Sequence, residues 1–441
     1  MNFHYTFPPF HQERLKNGLT VVWVPHHEQN VFTIAFQSRA GKFDDAPGRE
    51  GTTELAAGLM QKGTRDLEPE HLAEKLEFSG ASLYSDVGDE HLLFGCRMLA
   101  KYADTIIPLF WDVITRPGLR PKELTRLKKE MTTALQAELI DPGSIAHKHF
   151  YAELCGKNLP GGRGATIKSV KKITLDTVRS FIDTHVVPEG STLIVAGDAG
   201  VEGMKSRWEP LFSSWDASGQ KRPSAQIRLS NPEKTVIRLI DKPDLSQTSI
   251  IIGHPAPGEA DEEREPLAIA NYILGGGNFS SRLMAQIRGA HGSTYNISSQ
   301  LTCNRQFGIF SIATSTQNTK VKDVLHTILE AYDKLSRDGV TEEELEKAKQ
   351  FAVGNMAFQL EGIGNITEKL LWLRFYGRKQ AYIENFADRI TQLNTEKINA
   401  VISKHLSYKN FICAAVGKKT EIFEQLKEFG LVKPMHFRAN P

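Results

Sequence analysis

The sequence has few cysteines, and they are far apart. Its four cysteines are Cys96, Cys155, Cys303 and Cys413, and no C-x-x-C motif joins any two of them. This spacing argues against a zinc ribbon and against a redox dithiol. We expect buried free thiols, and two disulfides remain the alternative.

An excess of charge of one sign and a long hydrophobic run are also missing. Lys and Arg number 54 against 52 Asp and Glu, so no global field favours nucleic acid or an anionic membrane. No apolar run approaches the roughly 20 residues of a membrane span, and the N-terminus lacks the apolar segment of a signal peptide. We therefore expect a cytoplasmic protein, with the periplasm as the alternative if a signal has been removed.

The chain contains an internal repeat. Its 441 residues, 40% of them hydrophobic, exceed the roughly 250 to 300 residues at which a single core stops growing. The segment Thr174–Asp198 aligns without a gap on Asn394–Lys418, so that His405 follows His185 by 220 residues. Each copy has apolar residues at i, i+3 and i+4, then a short apolar run that ends at glycine. This pattern predicts a helix, a turn and a buried strand.

A duplicated α+β chain explains this repeat. We predict two homologous α/β sandwich domains, each an antiparallel-rich sheet with helices packed on it. The predicted boundaries are residues 1–215, a linker at 216–234, and residues 235–441. Each half is predicted to begin with two paired strands, Leu19–Pro25 with Phe32–Ser38 and Thr235–Ile240 with Thr248–Gly253. Long helices are predicted at Tyr102–Thr115, Lys122–Glu138, Val321–Arg337 and Thr341–Leu360.

The segment after the first two strands, GTTELAAGLMQKGT from Gly51 to Thr64, carries a family resemblance. It resembles G-x-A-H-F-x-E-H-M-x-F-x-G-T of the pitrilysin/insulinase family of inverted-motif zinc peptidases. In active members, H-x-x-E-H places two zinc-binding imidazoles on one helix face, and the Glu is the general base. Here Glu54, Ala57 and Gly58 occupy those three positions. An alanine cannot accept a proton and a glycine side chain cannot bind zinc.

No replacement metal site is predicted. The resemblance implies a third ligand near Ala134 or Leu135, and a shifted alignment would bring in Glu130 or Glu138. A single carboxylate makes no zinc site. His149 and Glu153 can share a helix face, with His147 on the other side, but two ligands are too few. The pair His26 and His27 lies in a polar turn. We assign this chain no metal and no cofactor.

The strongest positive signal is the glycine-rich segment from Leu274 to Gln300. It resembles the family segment L-G-G-G followed by S-S-R-L-x-x-x-I-R-x-x-x-G-x-x-Y-x-x-x-S. The resemblance implies that Arg282 and Tyr295 reach toward a zinc site on the other half or subunit and stabilise an oxyanion. The resemblance also implies that a substrate backbone approaches Gly275, Gly276 and Gly277 closely, because glycine has no Cβ to obstruct it. Alternatively, the segment only caps a helix, through Ser280 or Ser281, and anchors a strand.

These features together predict a non-catalytic subunit. The chain is expected to pair with a homologous subunit that bears H-x-x-E-H and zinc, and to help enclose unfolded peptides in a chamber; a homodimer is also open. Arg288, six residues after Arg282, is predicted to form a structural salt bridge. Two alternatives remain, namely an inert scaffold or peptide-binding module in a larger assembly, and a hydrolase with an unrecognised site. The peptides and their cleavage specificity cannot be predicted from the sequence.

Overall fold

The computed structural model describes residues 5–156, 159–216, 227, 229, 231–289, 294–406 and 409–437. The strands of the first half are β1 His11–Arg14, β2 Thr20–Pro25, β3 Val31–Ser38, β4 Ser82–Val87, β5 Leu92–Leu99 and β6 Thr192–Gly197. Its helices are α1 Thr52–Met60, α2 Pro69–Phe78, α3 Ala103–Thr115, α4 Pro121–Glu138, α5 Pro142–Cys155, α6 Ile167–Lys172, α7 Leu175–His185 and α8 Val201–Ser213.

The second half repeats much of this order, but one of its edge strands comes last in the chain, whereas β1 comes first in the first half. Its strands are β7 Val236–Asp241, β8 Gln247–Ala256, β9 Thr294–Cys303, β10 Gly308–Gln317, β11 Ile412–Gly417 and β12 Leu431–His436. Its helices are α9 Arg264–Asn271, α10 Arg282–Gly289, α11 Val321–Asp338, α12 Glu342–Phe358, α13 Gly362–Tyr376, α14 Ala381–Glu384, α15 Phe386–Thr391, α16 Thr395–His405 and α17 Lys419–Leu426. Within the described ranges, no helix is both long and apolar enough to cross a membrane.

The repeat predicted from the sequence is present as helix, turn and strand. Thr174 caps α7 by accepting a hydrogen bond from the Thr177 amide, and Asn394 caps α16 through the Lys397 amide. The apolar stripe of each helix is buried, as predicted: Val178, Phe181 and Ile182 in one copy, Ile398, Val401 and Ile402 in the other. The four long helices begin and end within about two residues of their predicted bounds.

Each half forms one six-stranded mixed sheet, in the orders β1-β2-β6-β3-β5-β4 and β12-β7-β11-β8-β10-β9. The α+β fold class and its duplication are therefore confirmed. The predicted pairing of the first two strands in each half is wrong, because β6 lies between β2 and β3, and β11 lies between β7 and β8. Strands β6 and β11 are almost completely buried, and a central position in the sheet suits such continuous apolar runs.

The two halves exchange a helix. Successive side chains of a strand point to opposite faces, and one face of each sheet packs on helices of its own half. On the other face of the first sheet, Val22 and Ala35 pack against Leu370 of α13. On the other face of the second sheet, Ile251 and Ala414 pack against Phe150 of α5. Each sheet is therefore completed by a helix from the other half.

The prediction of free thiols is confirmed, because none of the four cysteines forms a disulfide. Cys96, Cys155 and Cys413 are buried, whereas Cys303 is only partly so. Most of the segment predicted as a linker, residues 216–234, lies outside the described residues.

Candidate functional site

Helix α1 carries the motif segment but not the chemistry of a metal site. Its start is capped from a distance by Asp45, whose carboxylate accepts from the Gly51 amide at 2.7 Å and the Thr53 amide at 2.9 Å. Gly51 has a φ of 102°, a backbone conformation that favours glycine. These two hydrogen bonds satisfy backbone amides at the start of the helix.

The three motif positions on α1 do not form a metal site. Glu54 lies 3.9 Å from the Lys42 ammonium, and its side chain is 31% exposed. Ala57 is buried at 1% exposure. A Cβ built on Gly58 would stand 3.4 Å from both terminal methyls of Leu127. Hydrocarbon thus borders the position that an imidazole would need.

Helix α4 places hydrocarbon against the glycines of the motif segment and offers no clear third ligand. Besides Leu127, the methyl of Met131 would lie 2.7 Å from a Cβ on Gly51. Leu135 is buried, whereas Ala134, Glu130 and Glu138 are exposed. No group of three or more His, Cys, Asp or Glu that could hold a metal occurs in the part of the chain that the structure describes. The residues present do not fit zinc.

The alternative ligand pair on α5 has another role. His149 is 2% exposed, and burial, then the charges of Arg238 and Lys148, lower its pKa to about 4. Glu153 binds Arg238 of β7 at 2.6 Å and Lys433 of β12 at 3.1 Å. Both side chains thus belong to the contact between α5 and the sheet of the other half.

The glycine-rich segment forms a π-helical turn, Tyr272–Gly276, ahead of α10. A Cβ on Gly275 would lie 2.6 Å from the Ser299 hydroxyl and 2.7 Å from Leu283. A Cβ on Gly276 would meet Asn271, and one on Gly277 would meet the Tyr272 carbonyl, each at 2.8 Å. In the structure these glycines therefore permit close approach of the chain's own atoms. Contact with a substrate remains a prediction.

Arg282 is occupied by partners within its own half. Its Nε lies 2.7 Å and its Nη2 lies 2.6 Å from the two carboxylate oxygens of Glu344, and Nη2 also donates to the Gly339 carbonyl at 2.7 Å. Burial opposes ionisation of Glu344, but hydrogen bonds from Arg282 and Thr341 hold its pKa below the ordinary value. The pair joins α10 to the first turn of α12.

The remaining residues of this segment are only partly described. Ser281 is buried and its hydroxyl accepts from the Met284 amide at 3.4 Å, which agrees with the predicted helix cap. Tyr295 is the second residue of the edge strand β9, but its side chain is outside the described residues, as is that of Arg288.

The comparisons with known proteins agree with this architecture. Residues 20–157 match the family described as Insulinase (Peptidase family M16), and residues 172–351 match the description Peptidase M16 inactive domain. The chain belongs to peptidase family M16. The resemblance predicted from the motif segments is thereby confirmed.

Relatives of this M16 chain include proteins named as uncharacterized zinc proteases. One from Streptomyces coelicolor is 23% identical over 88% of this chain and 85% of its own length. One from Mycobacterium tuberculosis is 25% identical over 94% of this chain and 95% of its own length. Among the solved structures, an M16 inactive domain from Pseudomonas fluorescens has a TM-score of 0.85 at 23% identity, covering 93% of this chain and 98% of its own. A protease from Helicobacter pylori has a TM-score of 0.86 at 16% identity, covering 93% of this chain and 100% of its own.

A polar cavity in the second half was not predicted from the sequence. It lies between α9, α12 and α13, and it holds Arg264, Glu265 and Lys369 beside aromatic walls. Lys369 follows Arg264 and Glu265 by more than 100 positions in the chain. Since no local spacing joins them, the sequence carried no signal that could have identified the cavity.

Proposed function

We propose that this chain is the non-catalytic subunit of a heterodimeric zinc metallopeptidase. A homologous partner that carries H-x-x-E-H would supply zinc and the general base. This chain would supply peptide-binding surface together with Arg282 and Tyr295. The observation that supports this most strongly is helix α1, which keeps its place in the fold while Ala57 and Gly58 stand where a base and a ligand are needed.

Peptide binding by this chain is supported by the sheet edges. Strands β4 and β9 end their sheets, and within the described residues each pairs with one neighbour only. The outward edge of such a strand offers unpaired amides and carbonyls to an extended peptide. Because α1 packs against β4, a peptide added there would lie beside the degenerate motif. We propose the cytoplasm as the compartment, with the periplasm as the alternative.

The role proposed for Arg282 requires its pair with Glu344 to open. A guanidinium held by two carboxylate oxygens and a carbonyl has few donors left for an oxyanion. Partner binding would have to rearrange α10 or α12 to release it. The same observation favours the second candidate function, an inert peptide-binding or scaffold subunit in which Arg282 is structural.

The partner hypothesis is tested by reconstitution. This chain is mixed with a co-purifying M16 subunit that carries H-x-x-E-H, and hydrolysis of an unstructured fluorogenic peptide is measured. Activity only in the mixture supports the proposal. Equal activity of the partner alone and in the mixture would overturn it, and peptide affinity without stimulated hydrolysis would favour the scaffold.

The role of Arg282 is tested with a matched pair of variants in that mixture. Arg282→Ala removes the guanidinium, whereas Glu344→Gln breaks the same ion pair and leaves the guanidinium in place. If Arg282 stabilises the oxyanion, only Arg282→Ala should lower kcat, by roughly 100- to 1,000-fold. Equal losses in both variants would show that the ion pair is structural. Tyr295→Phe gives the corresponding test for the tyrosine.

A further inference from the structure

A cavity of about 330 Å³ lies among the helices of the second half. One part of its wall is apolar and aromatic, formed by Phe351, Trp372 and Phe386. Phe351 is 52% exposed and stacks on Tyr272 with ring centroids 4.5 Å apart, so it marks an accessible side of the cavity. The space is at the small end of ligand sites and would hold about one large side chain.

Another part of the wall is charged, and its two carboxylates are already paired with arginines. Glu259 is 4% exposed and lies 2.9 Å from the Arg264 guanidinium. Glu265 is bound by both Nε and Nη2 of Arg389, at 2.9 and 2.8 Å. Neither acid therefore remains available for a cationic ligand.

Lys369 is the cation that this wall leaves without a carboxylate. Its ammonium donates to the Gln359 amide oxygen at 3.0 Å, and no carboxylate among the described residues lies within salt-bridge distance of it. Burial, then the nearby Arg264 charge, lowers its pKa, against smaller opposing effects of the more distant carboxylates of Glu259 and Glu368. A partly desolvated ammonium beside another cation gains free energy when an anion binds.

We propose that this cavity binds an apolar residue that carries a free carboxylate, namely the C-terminal residue of a peptide. The carboxylate would accept from Lys369, and the side chain would lie against Phe351, Trp372 and Phe386. This inference rests on the proposed peptide-binding function and adds to it a recognition of chain ends. A free amphipathic acid offers the same chemistry.

The experiment uses the full chain alone, without a partner subunit. Isothermal titration compares acetyl-Ala-Ala-Phe as the free acid with its C-terminal amide, and with N-acetylphenylalanine. We expect the acid to bind at least tenfold more tightly than the amide, because only the acid forms a charge-assisted hydrogen bond with Lys369. Tighter binding of the tripeptide than of N-acetylphenylalanine identifies peptide ends as the source. Equal binding identifies a small amphipathic acid.

Three variants complete the test. Lys369→Gln should abolish the preference for the acid, whereas Lys347→Gln, at an exposed site on α12 paired with Glu343, should retain it. Ala352→Trp fills the cavity and should abolish binding of both ligands. Equal binding of acid and amide, no binding of either, or a preference that survives Lys369→Gln would overturn the inference. Because no partner is present, such a failure leaves the reconstitution result unaffected.

Discussion

The exchange of helices predicts that the two halves unfold as one unit, and Phe150 provides the test. This side chain is 0% exposed and belongs to α5 of the first half, but it packs on the sheet of the second half. Its ring is so close to β8 that a Cβ on Gly253 would lie 2.9 Å from Cζ. Phe150→Ala should therefore leave a cavity that cannot easily collapse.

The expected loss of stability is large. Replacing a fully buried Phe by Ala removes its transfer free energy and adds a cavity term, together about 3–5 kcal/mol. The control is Phe78→Ala, the same substitution at a side chain that is 80% exposed, which should change stability by less than about 0.5 kcal/mol.

Tryptophan fluorescence is a suitable assay because of where the fluorophores lie. Of the five tryptophans, Trp23, Trp111, Trp208 and Trp215 belong to the first half, and Trp372 of α13 packs on the first sheet. Urea unfolding followed by fluorescence thus reports the first half, whereas the Phe150→Ala cavity lies against the second sheet. If the halves unfold together, the fluorescence midpoint falls. A fluorescence midpoint that stays unchanged while circular dichroism detects an earlier transition would refute this reasoning.

Three further predictions follow from the described contacts. The folded-state pKa of His149, about 4, lies below the ordinary value near 6.5. The free energy of unfolding should therefore decrease by about 3 kcal/mol as the pH falls from the ordinary pKa to the folded-state pKa. Urea titrations should show a smaller pH dependence of this free energy in His149→Gln. The triple variant Glu54→His, Ala57→Glu, Gly58→His should bind no stoichiometric zinc by elemental analysis, because Leu127 lies against the Gly58 position and neither Ala134 nor Leu135 supplies a third ligand. Gly275→Ala should lower stability by about 1–3 kcal/mol in the same urea assay, and an unchanged midpoint would contradict the close contact with Ser299.

The sequence predicted individual helices and strands better than it predicted which of them lie next to each other in the fold. Helix bounds follow from local signals, such as the cap at Thr174 and the buried stripe after it, so the repeat could be located. The insertion of β6 between β2 and β3 depends on a strand more than 150 residues later in the chain. The exchange of α5 and α13 also could not be predicted, because an apolar helix face does not specify which of two similar sheets it covers.

In the candidate site, too, residue types could be interpreted from the sequence, whereas contacts between distant residues could not. The loss of the general base at Ala57 and of a metal ligand at Gly58 is evident from residue type alone. The ion pair between Arg282 and Glu344 is not evident from the sequence, although both residues lie in predicted helices. A charged side chain finds its partner through the tertiary fold, and a motif alone does not distinguish a free guanidinium from a paired one.

The packing around α1 bears on whether this chain ever needs zinc for its structure. Where a metal organises a site, binding free energy contributes to folding, and the elements that hold the ligands depend on the ion. Here Asp45 caps the helix with two backbone hydrogen bonds, and Leu127 and Met131 lie against its glycines. These protein contacts stabilise the helix. Stripping divalent metal with a chelator should leave the unfolding midpoint of this chain unchanged, and a partner subunit with an intact motif should be the only component whose activity the chelator removes.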